Sequence, residues 1–173
     1  AMPKKITRKG VFDAYFKRLG QLTRDEGAFL LDLGRVLLEQ RHSTVDLDLL
    51  YEDGRPTKPV VEIPGIGSAY RRLVEQGVLA QHREGEGWRV GLSVEAVLEH
   101  LVGRVLVLDG RADTAQSLAS CLVAESEFEA IAGACRSAVT EQVESQGLGY
   151  LCDFIDAEGE DIADVAGPVL GQM

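Results

Sequence analysis

The sequence predicts a mainly α-helical protein with one β-hairpin in its first half and an acidic helical second half. Three observations carry this prediction. Apolar residues recur at three- and four-residue spacing through most of the chain, two short alternating runs flank a glycine-rich turn at residues 84–87, and the acids concentrate after residue 111. The 173 residues are 45% apolar, which suits one compact domain or two small ones. We expect a basic arm at 1–20, a mixed domain at 21–93 and an acidic helical domain at 94–173.

The net charge of −10 is divided unevenly along the chain. Residues 1–111 hold 17 Lys and Arg against 16 Asp and Glu, whereas residues 112–173 hold only Arg136 against 12 acids. A DNA binder without sequence preference needs a strongly basic surface, so this class is excluded. The acidic segment 112–173 favours either a basic protein partner or a solvated acidic surface.

The chain begins with basic residues that lead into a short amphipathic helix within residues 1–20. Thr23 and Glu26 then have the spacing of a capping box, in which each side chain accepts a hydrogen bond from the backbone N–H of the other residue. Apolar residues at helical spacing extend this helix to about Gln40.

A second, shorter helix is predicted after residue 42. Ser43 or Thr44 is a suitable N-cap, and the leucines up to Leu50 continue the helix. Turn residues at 53–56 are expected to end it.

Residues 63–92 predict a third helix followed by a β-hairpin. An apolar stripe at helical spacing ends at Gly77, a residue suited to the left-handed conformation of a helix C-cap. Residues 78–83 and 88–92 then alternate around a Glu-Gly-Glu-Gly turn, a pattern typical of two antiparallel strands.

The order of these elements over residues 23–93 resembles a winged helix-turn-helix domain. Residues 68–79 read Ser-Ala-Tyr-Arg-Arg-Leu-Val-Glu-Gln-Gly-Val-Leu and are similar to the third helix and first wing strand of bacterial winged-helix regulators. The resemblance implies a DNA-binding transcriptional regulator, whose third helix enters the major groove of double-stranded DNA while the wing contacts the backbone or the minor groove. It also implies a set of DNA-binding residues, namely Ser68, Arg71, Arg72, Gln76, His82, Arg83 and Arg89.

Two other interpretations of this segment stay open. Residues 55–93 hold six basic and four acidic side chains, so the same module also fits an adaptor that binds another protein in a larger assembly. In that form it resembles the acidic winged-helix subunits that accompany chromosome-organising complexes. Residues 63–67, Ile-Pro-Gly-Ile-Gly, resemble the hairpin of a helix-hairpin-helix motif, which binds the DNA backbone through its N–H groups.

From residue 94 to residue 145 we expect helices. They are predicted at 94–108, 114–124 and 126–145, the last with Ser126 and Glu129 as another capping box. The helix at 94–108 is apolar almost all round, so it lies either in the core of the chain or in a homodimer interface.

Two glycines, Gly147 and Gly149, are expected to end the helix at 126–145 and to separate it from residues 150–155. Residues 150–155 form a short apolar run that fits a helix or a strand equally well.

The sequence contains no motif for catalysis or for cofactor binding, so we expect no enzyme activity, no cofactor and no metal site. Cys121, Cys135 and Cys152 lack metal-ligand spacing and are expected to be buried thiols in a reducing compartment. The most apolar stretch, 94–108, is too short and too often interrupted by charge to span a bilayer. The chain opens without a signal peptide, and we expect a cytoplasmic protein that binds no membrane.

Overall fold

The structure is a computed structural model that describes residues 22–51 and 69–157. These residues form a mainly helical protein with one small antiparallel sheet of three strands, which confirms the predicted mainly α class. In chain order the elements are helix α1 (Arg24–Gln40), strand β1 (Thr44–Asp46), a 3₁₀ helix (Leu47–Tyr51), α2 (Ala69–Glu75), β2 (Leu79–Glu84), β3 (Gly87–Leu92), α3 (Glu95–Leu108), α4 (Ala115–Ala124), α5 (Ile131–Gln146) and α6 (Leu148–Asp156).

Helix α1 begins at the predicted capping box. The Thr23 N–H donates to Glu26 Oε2 at 2.6 Å, and the Glu26 N–H donates to Thr23 Oγ1 at 3.4 Å. These bonds satisfy backbone donors that the first turn of a helix leaves without intrahelical partners. The helix ends where Arg41 adopts the left-handed conformation with φ of 52°.

The predicted helix after Ser43 or Thr44 is wrong in its first part, because β1 forms there and only a 3₁₀ helix comes after it. Residues 44–46 form a strand because pairing with β3 satisfies their backbone hydrogen bonds and buries Val45 in the core, opposite Val90. Gly91 allows this pairing, since a Cβ atom at its position would lie 2.5 Å from the Ser43 carbonyl oxygen. The predicted hairpin is therefore part of a three-stranded sheet in the order β1-β3-β2.

The predicted third helix and hairpin are confirmed as α2, β2 and β3. Gly77 has φ of 70° and lies in the turn that joins α2 to β2. The register pairs Glu84 with Gly87, so a two-residue loop connects the strands, and Gly85 in this loop has φ of 61°. Both glycines occupy the left-handed region, where a Cβ atom is unfavourable.

Helix α3 packs against α1 on one side and α5 on the other. Glycines permit both close approaches: a Cβ at Gly103 would lie 2.7 Å from the Ala134 carbonyl oxygen, and one at Gly34 would lie 3.1 Å from side chains of α3. The buried residues of α3 are Val97, Leu98, Leu101, Val102, Gly103, Val105 and Leu106. These residues are covered within the chain, as expected for a core helix, while Val94 and Leu108 at the ends of the segment are exposed. A homodimer through residues 94–108 stays a prediction.

The capping box predicted at Ser126 and Glu129 is wrong. Helix α5 starts at Ile131, and its N-cap, Ala130, offers no side-chain hydrogen bond. Phe128 is fully buried, and its N–H donates to the Glu125 carbonyl at 2.9 Å. Burial of this ring holds residues 125–130 in turns. Its free energy exceeds what a capping box at Ser126 and Glu129 would contribute.

Gly147 ends α5 with φ of 87°, as predicted, but Gly149 lies within α6. The ambiguous apolar run at 150–155 is helical and belongs to α6. Its buried residues pack against the core that α4 and α5 form.

The hydrophobic core is one cluster that includes residues from both sides of residue 93. Polar contacts join the same parts: Arg35 donates to both carboxylate oxygens of Asp109, at 2.6 to 3.2 Å. Hydrogen bonding to Arg35 holds the pKa of Asp109 below its usual range. The packing is therefore continuous across residue 93.

The three cysteines differ in exposure. Cys121 and Cys135 are buried, and burial raises the pKa of both thiols. Cys152 is exposed, so the expectation of three buried thiols is wrong at this position, which lies on the outward side of α6.

Several predictions fall outside the described residues. These are the basic arm at 1–20, the turn at 53–56 and the possible helix-hairpin-helix loop at 63–67. Among the helices of the described ranges, none combines the length and the apolar character that crossing a bilayer requires.

Candidate nucleic-acid interface

Helix α2 carries two of the residues predicted to read DNA, Arg71 and Arg72, while Ser68 lies outside the described residues. Arg71 is on the exposed side of the helix and donates to Glu75 Oε1 at 2.7 Å, an i,i+4 ion pair. Gln76 is also exposed, directly after the last residue of α2. The outward side of α2 therefore presents Arg71 together with a neutralising carboxylate.

Arg72 has a different role from its neighbour. Its Nε donates to Glu26 Oε1 at 2.5 Å, and its Nη2 reaches Thr23 Oγ1 at 3.5 Å. The Glu26 side chain is only 2% exposed, whereas the Arg72 side chain is 35% exposed. Arg72 thus joins α2 to the capping box of α1 and stabilises the fold there.

The electrostatics of Glu26 depend on this contact. Burial raises the pKa of the Glu26 carboxyl, but hydrogen bonds from Arg72 and Thr23 and the positive charge of Arg72 outweigh burial. The pKa consequently lies below its usual value, and the carboxylate is charged near neutral pH.

The register of the hairpin divides the remaining candidates between two faces. Val90 points into the core, so alternation along β3 places Trp88 on the same face, with Arg83 opposite it on β2. His82 and Arg89 are also a cross-strand pair, and they lie on the other face. The hairpin therefore presents Arg83 and His82 to different sides.

The Arg83 face is the one turned toward α2. Gln81 shares this face by alternation, and its Oε1 accepts a hydrogen bond of 2.6 Å from the Tyr70 hydroxyl of α2. The structure thus places α2 and Arg83 on the same side of the sheet. His82 and Arg89 lie on the opposite side.

Arg89 is held within the sheet. Its Nη2 donates to the Thr44 carbonyl at 2.6 Å and its Nε donates to Thr44 Oγ1 at 3.2 Å, while Glu84 Oε2 lies 3.3 Å from Nε. These bonds join β3 to β1. Like Arg72, Arg89 stabilises the fold, and this contact was missed because β1 was expected to be helical.

The exposed charges of α2 and the hairpin nearly balance. Two exposed arginines, Arg71 and Arg83, stand against three exposed glutamates, Glu75, Glu84 and Glu86. Affinity for nucleic acid depends mainly on neutralised phosphates, so this described surface offers little of the charge that DNA binding requires.

Trp88 is the prominent surface residue that the sequence prediction left out. Its side chain is 46% exposed, and it is the sole tryptophan of the chain. The signal was present in the sequence, because residues 88 and 90 share a face and position 88 adjoins the hairpin loop, beyond the edge of the core. Large exposed aromatic side chains beside an arginine are common centres of protein interfaces.

Within the described ranges, no group of three or more His, Cys, Asp and Glu side chains is arranged to hold a metal ion. Comparison of the chain with protein-family models, with curated proteins and with solved structures found no match.

Proposed function

We propose that the chain is a non-enzymatic adaptor, in which a winged-helix-like module binds another protein through Trp88 and Arg83. The observation that carries this proposal is the surface of α2 and the hairpin, where an exposed aromatic residue stands among balanced charges. Tryptophan and arginine contribute more than other residues to protein interfaces, while a surface that reads DNA is predominantly basic.

The winged-helix assignment rests on sequence and topology together. The Arg-rich helix, the glycine and the two aliphatics at residues 68–79 resemble the family, and a hairpin comes directly after α2. The antiparallel order β1-β3-β2 is compatible with a winged-helix arrangement. Fold alone does not separate DNA binding from protein binding, so the surface chemistry decides the proposal.

Site-specific crosslinking tests the adaptor proposal. A photoreactive phenylalanine analogue at position 88, in the full chain expressed in its native cells, should crosslink to a discrete partner protein. The same analogue at His82, on the opposite face of the hairpin, is the matched control and should capture much less of it. With the partner purified, Trp88→Ala and Arg83→Ala should each weaken binding about tenfold or more, whereas His82→Ala should not. Equal crosslinking from both faces contradicts the proposal.

A second candidate function is sequence-specific binding of double-stranded DNA as a transcriptional regulator. The exposed Arg71 on α2 and Arg83 on the hairpin favour it, because both lie where the winged-helix resemblance implies DNA contacts. Binding of a mixed-sequence duplex should then change the fluorescence of the sole tryptophan and weaken steeply with salt. Arg71→Ala and Arg83→Ala should each reduce the salt slope by about 1. If the duplex causes no fluorescence change at low salt, DNA binding is contradicted and the adaptor is the remaining proposal.

Arg72 should not be substituted in this DNA-binding experiment. Its ion pair with Glu26 supports the fold, so a loss of DNA binding after Arg72→Ala has two possible causes. Arg71 and Arg83 are exposed and test the contact with DNA without disturbing the core.

A further inference from the structure

Helix α6 is apolar on both its buried and its outward sides. The buried side, which packs on α4 and α5, consists of Tyr150, Leu151 and Phe154. On the outward side, Leu148 is 57% exposed and Ile155 is 43% exposed, and the exposed Cys152 lies between them. The spacing i, i+4, i+7 places these three residues on one face of the helix. Apolar side chains that are exposed together on one face of a helix indicate a partner that covers them.

Carboxylates stand beside this apolar face. Asp153 and Asp156 are exposed on α6 and line an open cavity of about 300 Å³ at the start of α4, together with Thr114, Ala115, Gln116 and Ala157. The surrounding surface is acidic too, because residues 112–157 hold eight acids and one arginine. The occupant of the apolar face must therefore tolerate strong negative potential.

We propose that the outward face of α6 is the docking site for a basic amphipathic helix of another protein. The apolar side of that helix covers Leu148 and Ile155, and a lysine or arginine beside this side enters the cavity at Asp153 and Asp156. This is the helix-on-groove mode of recognition, in which apolar anchors give affinity and flanking charges give selectivity.

Charge complementarity selects this occupant over two others. A second copy of the chain, with a net charge of −10, brings its own acids against Asp153 and Asp156 in a self-complementary interface. An anionic membrane surface is repelled by the same carboxylates. A helix rich in Lys and Arg satisfies both the apolar and the acidic parts of the site.

The proposed site is separate from the surface of Trp88 and Arg83 that the adaptor proposal uses. It involves α4 and α6, whereas the other surface involves α2 and the hairpin. The two proposals are therefore tested by different substitutions, and either can fail alone.

A designed peptide serves as the probe. The peptide has leucines at i, i+3, i+4 and i+7 positions and lysines elsewhere, and its counterpart has glutamate in place of lysine. With the full-length protein labelled with ¹⁵N, the basic peptide should shift the amide resonances of residues 148–156, and the acidic peptide should not. Binding of a dye-labelled peptide, followed by anisotropy, then gives the affinity of each variant.

Matched substitutions locate the site. Ile155→Ser should weaken peptide binding roughly fivefold or more. Val94→Ser, which changes a side chain of similar exposure (44%) far from α6 in sequence, should leave affinity within about twofold. Asp153→Asn with Asp156→Asn should weaken binding and flatten its salt dependence, and Glu127→Gln should do neither. Circular dichroism confirms that each variant is folded.

Three results overturn the proposal. One is equal loss of affinity in the Ile155 and Val94 variants, which indicates non-specific attraction. Another is equal binding of the acidic peptide. The third is a set of nuclear Overhauser contacts between Ile155 and residues 1–20 or 158–173 in the free protein, which assigns the outward face of α6 to the chain itself.

Discussion

Removal of the Arg72 side chain tests the structural role assigned to this residue. The substitution Arg72→Ala leaves the Glu26 carboxylate buried without the guanidinium that donates to it at 2.5 Å. The neighbouring substitution Arg71→Ala makes the same chemical change in the same helix, but the ion pair with Glu75 that it removes is exposed. We expect Arg72→Ala to destabilise the protein and Arg71→Ala to have little effect.

The loss of stability expected for Arg72→Ala depends on how deeply Arg72 and Glu26 are buried. Breaking a fully buried ion pair costs about 3–5 kcal/mol, and losing a hydrogen bond to a charged group costs about 1.5–3 kcal/mol. Arg72 is 35% exposed and Glu26 keeps its hydrogen bond from the Thr23 N–H, so the lower range applies. The Arg71–Glu75 pair contributes only about 0.3–0.5 kcal/mol. For a chain of 173 residues, a loss of 1 kcal/mol lowers Tm by about 2–4 °C.

Urea unfolding at several pH values is the assay. The folded-state pKa of Glu26 is lowered, so its contribution to stability is fully present above the unfolded value of 4.5 and is lost as the pH falls through the folded value. The difference in free energy of unfolding between wild type and Arg72→Ala should therefore be full at pH 7. It should shrink as the pH falls below 4.5 and through the lowered pKa of Glu26, because the carboxyl then becomes neutral in both proteins.

Two outcomes would refute this account: equal stability of Arg72→Ala and Arg71→Ala at pH 7, or a loss that stays constant however far the pH is lowered below 4.5 while both proteins are folded. Glu26→Gln supplies an independent check, because the amide keeps an oxygen for the Thr23 N–H but has no charge for Arg72. A double-mutant cycle of Glu26→Gln with Arg72→Ala should give a coupling free energy of at least about 1 kcal/mol.

Three further predictions concern packing and titration. Gly103→Ala should destabilise the protein by about 1–3 kcal/mol in urea unfolding, because the added methyl meets the backbone of α5; a gain in stability contradicts the close approach. A disulfide reagent should modify Cys152 in the native protein but Cys121 and Cys135 only on unfolding, and three equally fast reactions would disagree with their burial. Burial raises the pKa of Tyr150 to about 12, so Tyr150→Phe should remove the latest step of the tyrosine absorbance titration; loss of an earlier step contradicts this.

Local signals in the sequence determined most of the helices and the hairpin. The capping box at Thr23 and Glu26 sets the start of α1 through bonds within one turn, and Gly77 and Gly85 set turns through their own backbone angles. Interactions of this kind involve neighbouring residues, so a sequence pattern contains them completely.

Interactions between residues far apart in the sequence determined the elements that the sequence pattern did not predict. Residues 44–46 became a strand because β3, more than 40 residues away, offers both a hydrogen-bonding edge and Gly91. Helix α5 starts at Ile131 rather than at residue 126 because the ring of Phe128 is buried in the core. A local pattern contains no information on such partners, and tertiary contacts override local preference.

The candidate site divides in the same way. The sequence determined which residues have the chemistry for recognition, and Arg71, Gln76, His82 and Arg83 are exposed as such residues must be. Only the tertiary structure decided that Arg72 is bound to Glu26, that Arg89 is bound to β1, and that His82 faces away from Arg83. The physical reason is that an arginine's availability depends on the carboxylates and carbonyls that folding brings to it, and these come from elements far along the chain.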